Sequence, residues 1–257
     1  MFVDIGLNLS SERYEDDRDV VMERGRAAGV SHCILTGTSL EESRAVLAFA
    51  RQYPGCRATA GVHPHDASGF TAEVETGLRE LLQAPEVVAV GETGLDFNRN
   101  YSPPEAQEAA FIAQLGLAAE TGLPLFLHER DASERMLEIL KAHQANLGVL
   151  HCFTGNLEAL WGYLDLGLMI GITGWVCDER RGQELQELVK EIPADRLLLE
   201  TDGPWLLPRD LPSPPKNKRN EPAFLPHIAA KVATLRGETL EALAAQTTAN
   251  AQRLFGL

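Results

Sequence analysis

Val87-Val88-Ala89-Val90-Gly91-Glu92 is a short apolar run that closes on a carboxylate, and three further runs close on a metal-binding side chain in the same way. They are Leu125-Phe126-Leu127-His128, Val149-Leu150-His151 and Leu197-Leu198-Leu199-Glu200-Thr201-Asp202. Continuous rather than alternating apolar runs are expected of strands buried on both faces, as in a parallel sheet. A barrel of parallel strands carries its functional side chains at the C-terminal strand ends, on one face. Two imidazoles (His128, His151) and two carboxylates (Glu92, Asp202) gathered there would suit a Zn²⁺, Mn²⁺ or Mg²⁺ hydrolytic site. A lone strand-end histidine is more often structural, but four such endings in register favour a site.

Working outward, strand-like and helix-like segments alternate along the whole chain. Strands are expected at 2–7, 32–37, 57–62, 87–91, 124–128, 148–152, 168–173 and 196–201. Helical periodicity fills 15–28, 40–52, 73–83, 104–121, 132–142, 157–166, 183–191, 225–235 and 240–254. Pro104 suits a helix start, and Gly29 and Gly122 suit helix ends. Eight βα units in about 250 residues match a TIM (β/α)8 barrel. A doubly wound sheet is the alternative, but no GxGxxG or phosphate-loop pattern supports one. No linker divides the chain, so residues 1–257 read as a single domain. The proline-rich stretch 207–220, with prolines at 208, 212, 214 and 215, reads as a loop over the top of the barrel.

The 257 residues are 44% hydrophobic, enough for a substantial core. No stretch approaches the roughly 20 apolar residues of a membrane span. Met1-Phe2-Val3-Asp4 lacks the basic-then-apolar pattern of a secretory signal. The four cysteines form no CxxC pair and read as reduced thiols of a cytoplasmic protein. The net charge of −14 argues against a generic nucleic-acid binder. It does not exclude a nuclease, because bound cations can supply local positive charge. No obligate protein partner is evident.

Further candidates lie beside the four endings. His63, in Gly61-Val62-His63-Pro64-His65-Asp66, would point into the same mouth, to contact a phosphate or ligate a metal. His65 is as readily a loop-packing residue as a functional one. Arg130 could grip a phosphate, or pair with a nearby acid. Lys218 belongs to the one basic cluster, Lys216-Asn217-Lys218-Arg219. Trp175 and Trp205 could stack on bases, with core or lid packing equally open. Cys152 reads as a packing residue, and Gly94-Leu95-Asp96-Phe97 as a turn in which Asp96 could hold a ligand's partner.

Together these runs resemble the TatD family of metal-dependent nucleases over essentially the full chain. The residues carrying the resemblance are Gly61–His65, 91–96, 128–131, 151–155, 171–174, 200–204 and 219–222; as an ordered set they are highly specific. The resemblance implies a TIM barrel of the metallo-dependent hydrolase type. It implies a nuclease supported by Mg²⁺, with Mn²⁺ or Zn²⁺ as alternatives and one or two ions bound. The substrate would be single-stranded DNA, shortened 3′→5′, with RNA a further substrate. Glu92, His128, His151 and Asp202 would be metal ligands. Asp202 would also orient or deprotonate water, and His63 would sit at the phosphate with His65, Arg130 and Lys218 as further phosphate contacts. The rival is a metal-dependent amidohydrolase or lactonase acting on a small molecule.

One departure stands out. Many family members end the first strand with His-x-His, where this chain has Gly6 and Asn8. One cation loses two imidazoles, so its site is expected to be weak, Mg²⁺-like, or filled only with substrate bound. The site built on Glu92, His128 and His151 is expected to be the tighter one.

Overall fold

The chain forms eight strands: β1 (Phe2–Leu7), β2 (Val30–Leu35), β3 (Cys56–Ala60), β4 (Val87–Asp96), β5 (Leu125–Arg130), β6 (Gly148–Leu150), β7 (Met169–Ile172) and β8 (Leu197–Leu199). Between and after them run α1 (Arg18–Ala27), α2 (Leu40–Gln52), α3 (Ala72–Leu81), α4 (Pro104–Thr121), α5 (Ser133–Ala142), α6 (Leu157–Asp165), α7 (Gln183–Leu188), α8 (Leu225–Arg236) and α9 (Leu240–Phe255). These elements come from a computed structural model that describes residues 1–257. The strands make one sheet in the order β1-β2-β3-β4-β5-β6-β7-β8. Leu7 at the end of β1 bridges in parallel to Gly203, just beyond β8. This is the parallel βα alternation of the TIM-barrel class, as the sequence leads one to expect.

Helix ends follow side-chain chemistry. Ser39, Thr71 and Thr239 accept from the backbone N–H groups of Glu42, Val74 and Ala242, so α2, α3 and α9 each open on a hydroxyl cap. α4 opens at Pro104 and stops at Gly122, whose φ of 70° is left-handed.

Packing divides the chain into two compact units. One comprises Met1–Leu35, Cys152–Asn156 and Ile170–Leu257, and the other Thr36–His151 with Leu157–Met169. In the first, Ile5, Leu7, Ile34, Leu35, Ile172, Leu198, Ile228 and Val232 are buried. In the second, Ala58, Ala60, Val90, Phe111, Phe126, Leu127, Val149 and Leu160 form the core. Every residue of β1, β4, β6, β7 and β8 is buried, which is why their sequences do not alternate.

Most strand ends differ from the sequence expectation by one or two residues, and that of β4 by five. β4 runs on to Asp96, because Gly94, Leu95 and Asp96 pair with His128, Glu129 and Arg130 of β5. The Gly94–Asp96 segment is therefore strand, not turn. Gly94 has φ 144°, and a Cβ there would collide with the His128 carbonyl oxygen, so the glycine permits a close strand approach rather than a bend. β6 and β8 stop at Leu150 and Leu199, leaving His151 and Asp202 just beyond their strands.

Candidate metal centre

In the unit built around β3 to β6, four strand ends present ionisable side chains. The β4–β5 pairing carries a register shift between Gly91 and Thr93, so Glu92 falls at an irregularity in the ladder. Such irregularities re-aim a side chain. Its backbone N–H donates to the Gly37 carbonyl at 2.7 Å. Gly91 has φ 147°, and a Cβ would meet the Phe126 carbonyl oxygen, so only glycine fits beside the strand here. Glu92 is thereby pushed toward the ends of β5 and β6.

Three imidazoles converge on one of its oxygens. His151 Nε2 is 2.8 Å from Glu92 Oε1, His128 Nδ1 2.9 Å, and His63 Nε2 3.4 Å. His151 follows β6, its N–H donating to the Leu127 carbonyl at 3.0 Å, and its ring stacks on Phe126 with centroids 4.8 Å apart. His63 follows β3 and caps the short turn of 3-10 helix at Pro64–Gly69. The ligand atoms of His63, Glu92 and His128 all lie within 4.8 Å of one another.

The rings are not equivalent. His63 Nδ1 accepts the His65 N–H at 3.1 Å. A neutral imidazole has one accepting and one protonated nitrogen, so the His63 proton sits on Nε2. That nitrogen is a donor toward Glu92 or an anion, which separates His63 from a ligand role despite its proximity. His128 faces Glu92 through Nδ1 and His151 through Nε2. His128 Nε2 is buried without a hydrogen bond, its nearest acid being Asp96 Oδ2 at 3.4 Å.

Asp96 supports the cluster. Its Oδ1 accepts from the backbone of Asn98 and Arg99 at 3.1 and 2.8 Å, and its Oδ2 takes His65 Nε2 at 2.7 Å. Gln107 from α4 braces its backbone on both sides, donating to the Asp96 carbonyl and accepting its N–H. Tyr101, two-thirds exposed, lies edge-on to the His65 ring at 4.7 Å. Arg130 closes β5 and is half-buried, its carbonyl accepting from Phe97 at 2.9 Å.

Electrostatics follow from this packing. Burial alone would raise the Glu92 carboxyl. The charges of His151 and His63 and the hydrogen bonds from His128 and His151 outweigh that and hold it well below the usual carboxylate range. Burial also raises Asp96, but the His128 ring beside it and hydrogen bonds from the Arg99 backbone and His65 pull it down further. His63 is lowered, chiefly by burial against the attraction of Glu92, so its ring is neutral near pH 7. For His128, burial is outweighed by Asp96 and Glu92, and the ring is raised.

A single buried carboxylate oxygen facing three imidazole nitrogens is a donor set crowded around one point. Glu92, His128 and His151 fit a divalent cation there, whose positive charge would take over from the ring protons. His63 then remains as a proton donor beside it.

The unit that holds β1, β2, β7 and β8 carries the other predicted residues. Asp202 follows β8 with φ 52°, and its N–H donates to the Gly6 carbonyl at 2.9 Å. Asn8 Nδ2 donates to Asp202 Oδ1 at 2.9 Å, and the Asn8 N–H donates to the Gly203 carbonyl at 2.8 Å. Asn8 is thus a positioning partner for the carboxylate. Nearby, Asp4 is fully buried and accepts the Thr201 N–H at 2.8 Å and its hydroxyl at 2.5 Å. Burial pushes the Asp4 carboxyl up to about 7 against those hydrogen bonds. Trp205 is 50% exposed, with the Arg13 guanidinium 5.3 Å from its ring centre. Trp175 is half-buried, with Arg181 over its ring at 4.4 Å and its indole N–H donating to the Arg181 carbonyl. Lys218 is exposed in the 207–220 loop.

Structure therefore gathers His63, His65, Glu92, His128 and His151 in one unit, and sets Asp202, Trp175, Trp205 and Lys218 in the other. The sequence reading missed the Asn8–Asp202 bond, which spans 194 positions, and the exposed Tyr101. A polar residue just past the apolar run of β1 was the one available signal for Asn8.

Residues 3–256 match the family model described as TatD related DNase. The chain is 58% identical over 257 residues to a protein of Erwinia tasmaniensis named 3'-5' ssDNA/RNA exonuclease TatD, covering 99% of each. It is 59% identical to the protein of the same name from Erwinia amylovora, again covering 99% of each. Among solved structures, a TatD homologue from Escherichia coli superposes with a TM-score of 0.92 at 29% identity, over 100% of this chain and 98% of that one.

Proposed function

The chain belongs to the TatD-related DNase family, and from that premise we propose that it is a divalent-metal-dependent 3′→5′ exonuclease acting on single-stranded DNA and on RNA. The observation that carries this reading is the convergence of His151, His128 and His63 on Glu92 Oε1 at 2.8, 2.9 and 3.4 Å. The relatives' shared name supplies the polarity and the substrate class. Those names leave the small-molecule amidohydrolase or lactonase reading without support. The family match over residues 3–256 supports treating 1–257 as one catalytic domain.

Glu92, His128 and His151 would hold the cation, with Asp202 as a further ligand. When bound, a divalent ion, most simply Mg²⁺, supplies charge that lowers the pKa of water and neutralises a phosphodiester. His63 donates from Nε2 to a phosphate oxygen, since its Nδ1 is already engaged. Asp202 takes the proton of the attacking water, with Asn8 holding Oδ1 in place. His65, Arg130 and Lys218 are assigned to phosphate contacts, and Trp205 and Trp175 to base stacking. With no histidine at 6 or 8, a second cation would borrow oxygen ligands from the substrate. The overall charge of −14 favours a short, end-bound segment over extended duplex. Four cysteines outside any disulfide fit a reducing compartment such as the cytoplasm.

The test is digestion of end-labelled single-stranded DNA by metal-stripped protein, with Mg²⁺, Mn²⁺ or Zn²⁺ restored. A metal-dependent ladder shortening from the 3′ end, absent in Glu92→Ala, is expected. Equal cleavage by Glu92→Ala, or none with any metal, would remove the proposal.

A further inference from the structure

A second set of mixed donors converges away from the imidazole cluster, and none of the roles above uses it. Cys177 ends the 3-10 turn Gly174–Cys177, Asp210 lies in the 207–220 loop, and His227 stands in the first turn of α8. The thiol sulfur, a carboxylate oxygen and a ring nitrogen all lie within 4.8 Å of one another. His227 Nε2 is 2.6 Å from Asp210 Oδ1, and the Cys177 thiol is hydrogen-bonded to the same carboxylate. Cys177 is 1% exposed, whereas the Asp210 and His227 side chains are 36% and 29% exposed. The cluster has a packed wall on one side and water on the other.

We propose that Cys177, Asp210 and His227 form a separate site for a zinc-class divalent cation, with water completing a fourth position and the ion pinning the proline-rich loop to α8. The donor chemistry selects the metal. Sulfur with imidazole and carboxylate suits Zn²⁺ and its neighbours, whereas Mg²⁺ prefers oxygen alone. The donor set on Glu92 contains no sulfur, so the two sites differ in the metals they rank highest. Binding is balanced by proton release: the Cys177 S–H bond breaks, a sulfur–metal bond forms, and the proton leaves to solvent. Occupancy therefore falls as pH falls. The Lys231 ammonium, 3.9 Å from Asp210, competes for the carboxylate, but it is loosely held on the wet side.

The loop's other attachments make this one informative. It leaves the chain soon after Asp202, where Arg209 pairs with Glu179 at 3.0 Å. It returns at Arg219, paired with Asp17 at 2.7 Å, and at Asn220, whose carbonyl accepts the Tyr14 hydroxyl. Asp210 lies between these anchors, so a cation there would immobilise the loop's leading half.

Metal-stripped full-length protein titrated with Co²⁺, a spectroscopic stand-in for zinc, reads the site directly. The expected result is a thiolate-to-cobalt charge-transfer band, saturating at one equivalent in Glu92→Ala, where the imidazole cluster no longer competes for cobalt. It should vanish in Cys177→Ser, weaken severalfold in Asp210→Asn, and persist in Glu92→Ala and Cys152→Ser. Zinc should bleach it and excess Mg²⁺ should not. No band in the unaltered protein, or a band that survives Cys177→Ser, overturns the site. Tryptic cleavage after Arg209, in the loop's leading half, should slow severalfold with zinc in the unaltered protein but not in Cys177→Ser; equal rates overturn the pinning of the loop.

Discussion

The strand ends of β3 to β6 and those of β1 and β8 are organised by different physics. The first group crowds three imidazoles onto Glu92 Oε1, so charge and lone pairs are concentrated at one point. In the second, the Asp202 carboxylate is held by the Asn8 amide and its backbone by the Gly6 carbonyl. Ligand density in one region and orientation in the other suggest a division of labour. On the proposed function, one region would retain a cation and the other would aim a carboxylate. It also explains how a chain with Gly6 and Asn8 in place of two histidines keeps an ordered β1 end: the Asn8 amide uses the space to fix Asp202.

The largest effect should come from breaking the dense region. Glu92→Ala should abolish Mn²⁺ retention and drop nuclease activity to background, read by Mn²⁺ titration and DNA digestion together. Retained Mn²⁺ would mean that the imidazoles alone suffice. Next comes Asp202→Asn, expected to lower kcat by about 10²–10⁴, the range of a general base. If the loss appears instead as weaker metal binding with kcat intact, Asp202 is a ligand and not the base. Asp96→Asn sharpens the first region: it weakens the acceptor that holds His65 and faces His128. Metal affinity should fall about 10–100-fold, as for other supports of ligating groups. Asn8→Ala removes one hydrogen bond to Asp202, worth about 1 kcal/mol, and should lower kcat about fivefold with metal affinity unchanged.

The smallest effect on catalysis is expected at Asp4, where stability carries the signal. Its folded carboxyl sits at about 7 against an ordinary 3.8, so the fold favours the neutral form. That contribution is complete below about pH 4 and is lost as pH rises through about 7. The urea midpoint of the unaltered protein should therefore fall across this window more steeply than that of Asp4→Asn. Parallel curves would mean that Asp4 stays ionised throughout.

How much of this was legible follows the range of the interactions. Apolar runs ending in Glu92, His128, His151 and Asp202 announced strands and a barrel because burial on both faces leaves a local mark. β4 was read short because glycines at 91 and 94 imitate a turn. In the fold those glycines let β4 press against β5, where a Cβ would strike the carbonyls of Phe126 and His128. The Asn8–Asp202 and His65–Asp96 bonds were invisible because their partners are distant in sequence. The distinct part played by His63 depends on a backbone N–H two residues on, which fixes its tautomer and which no residue pattern records.

Titration of metal-stripped protein with Mn²⁺, with and without a single-stranded oligonucleotide and in parallel with Glu92→Ala, tests the division of labour most directly. The account predicts one tight ion in the free protein, lost in Glu92→Ala, and a second that enters only with the oligonucleotide. Two equally tight ions in the free protein, or one that survives Glu92→Ala, would contradict it.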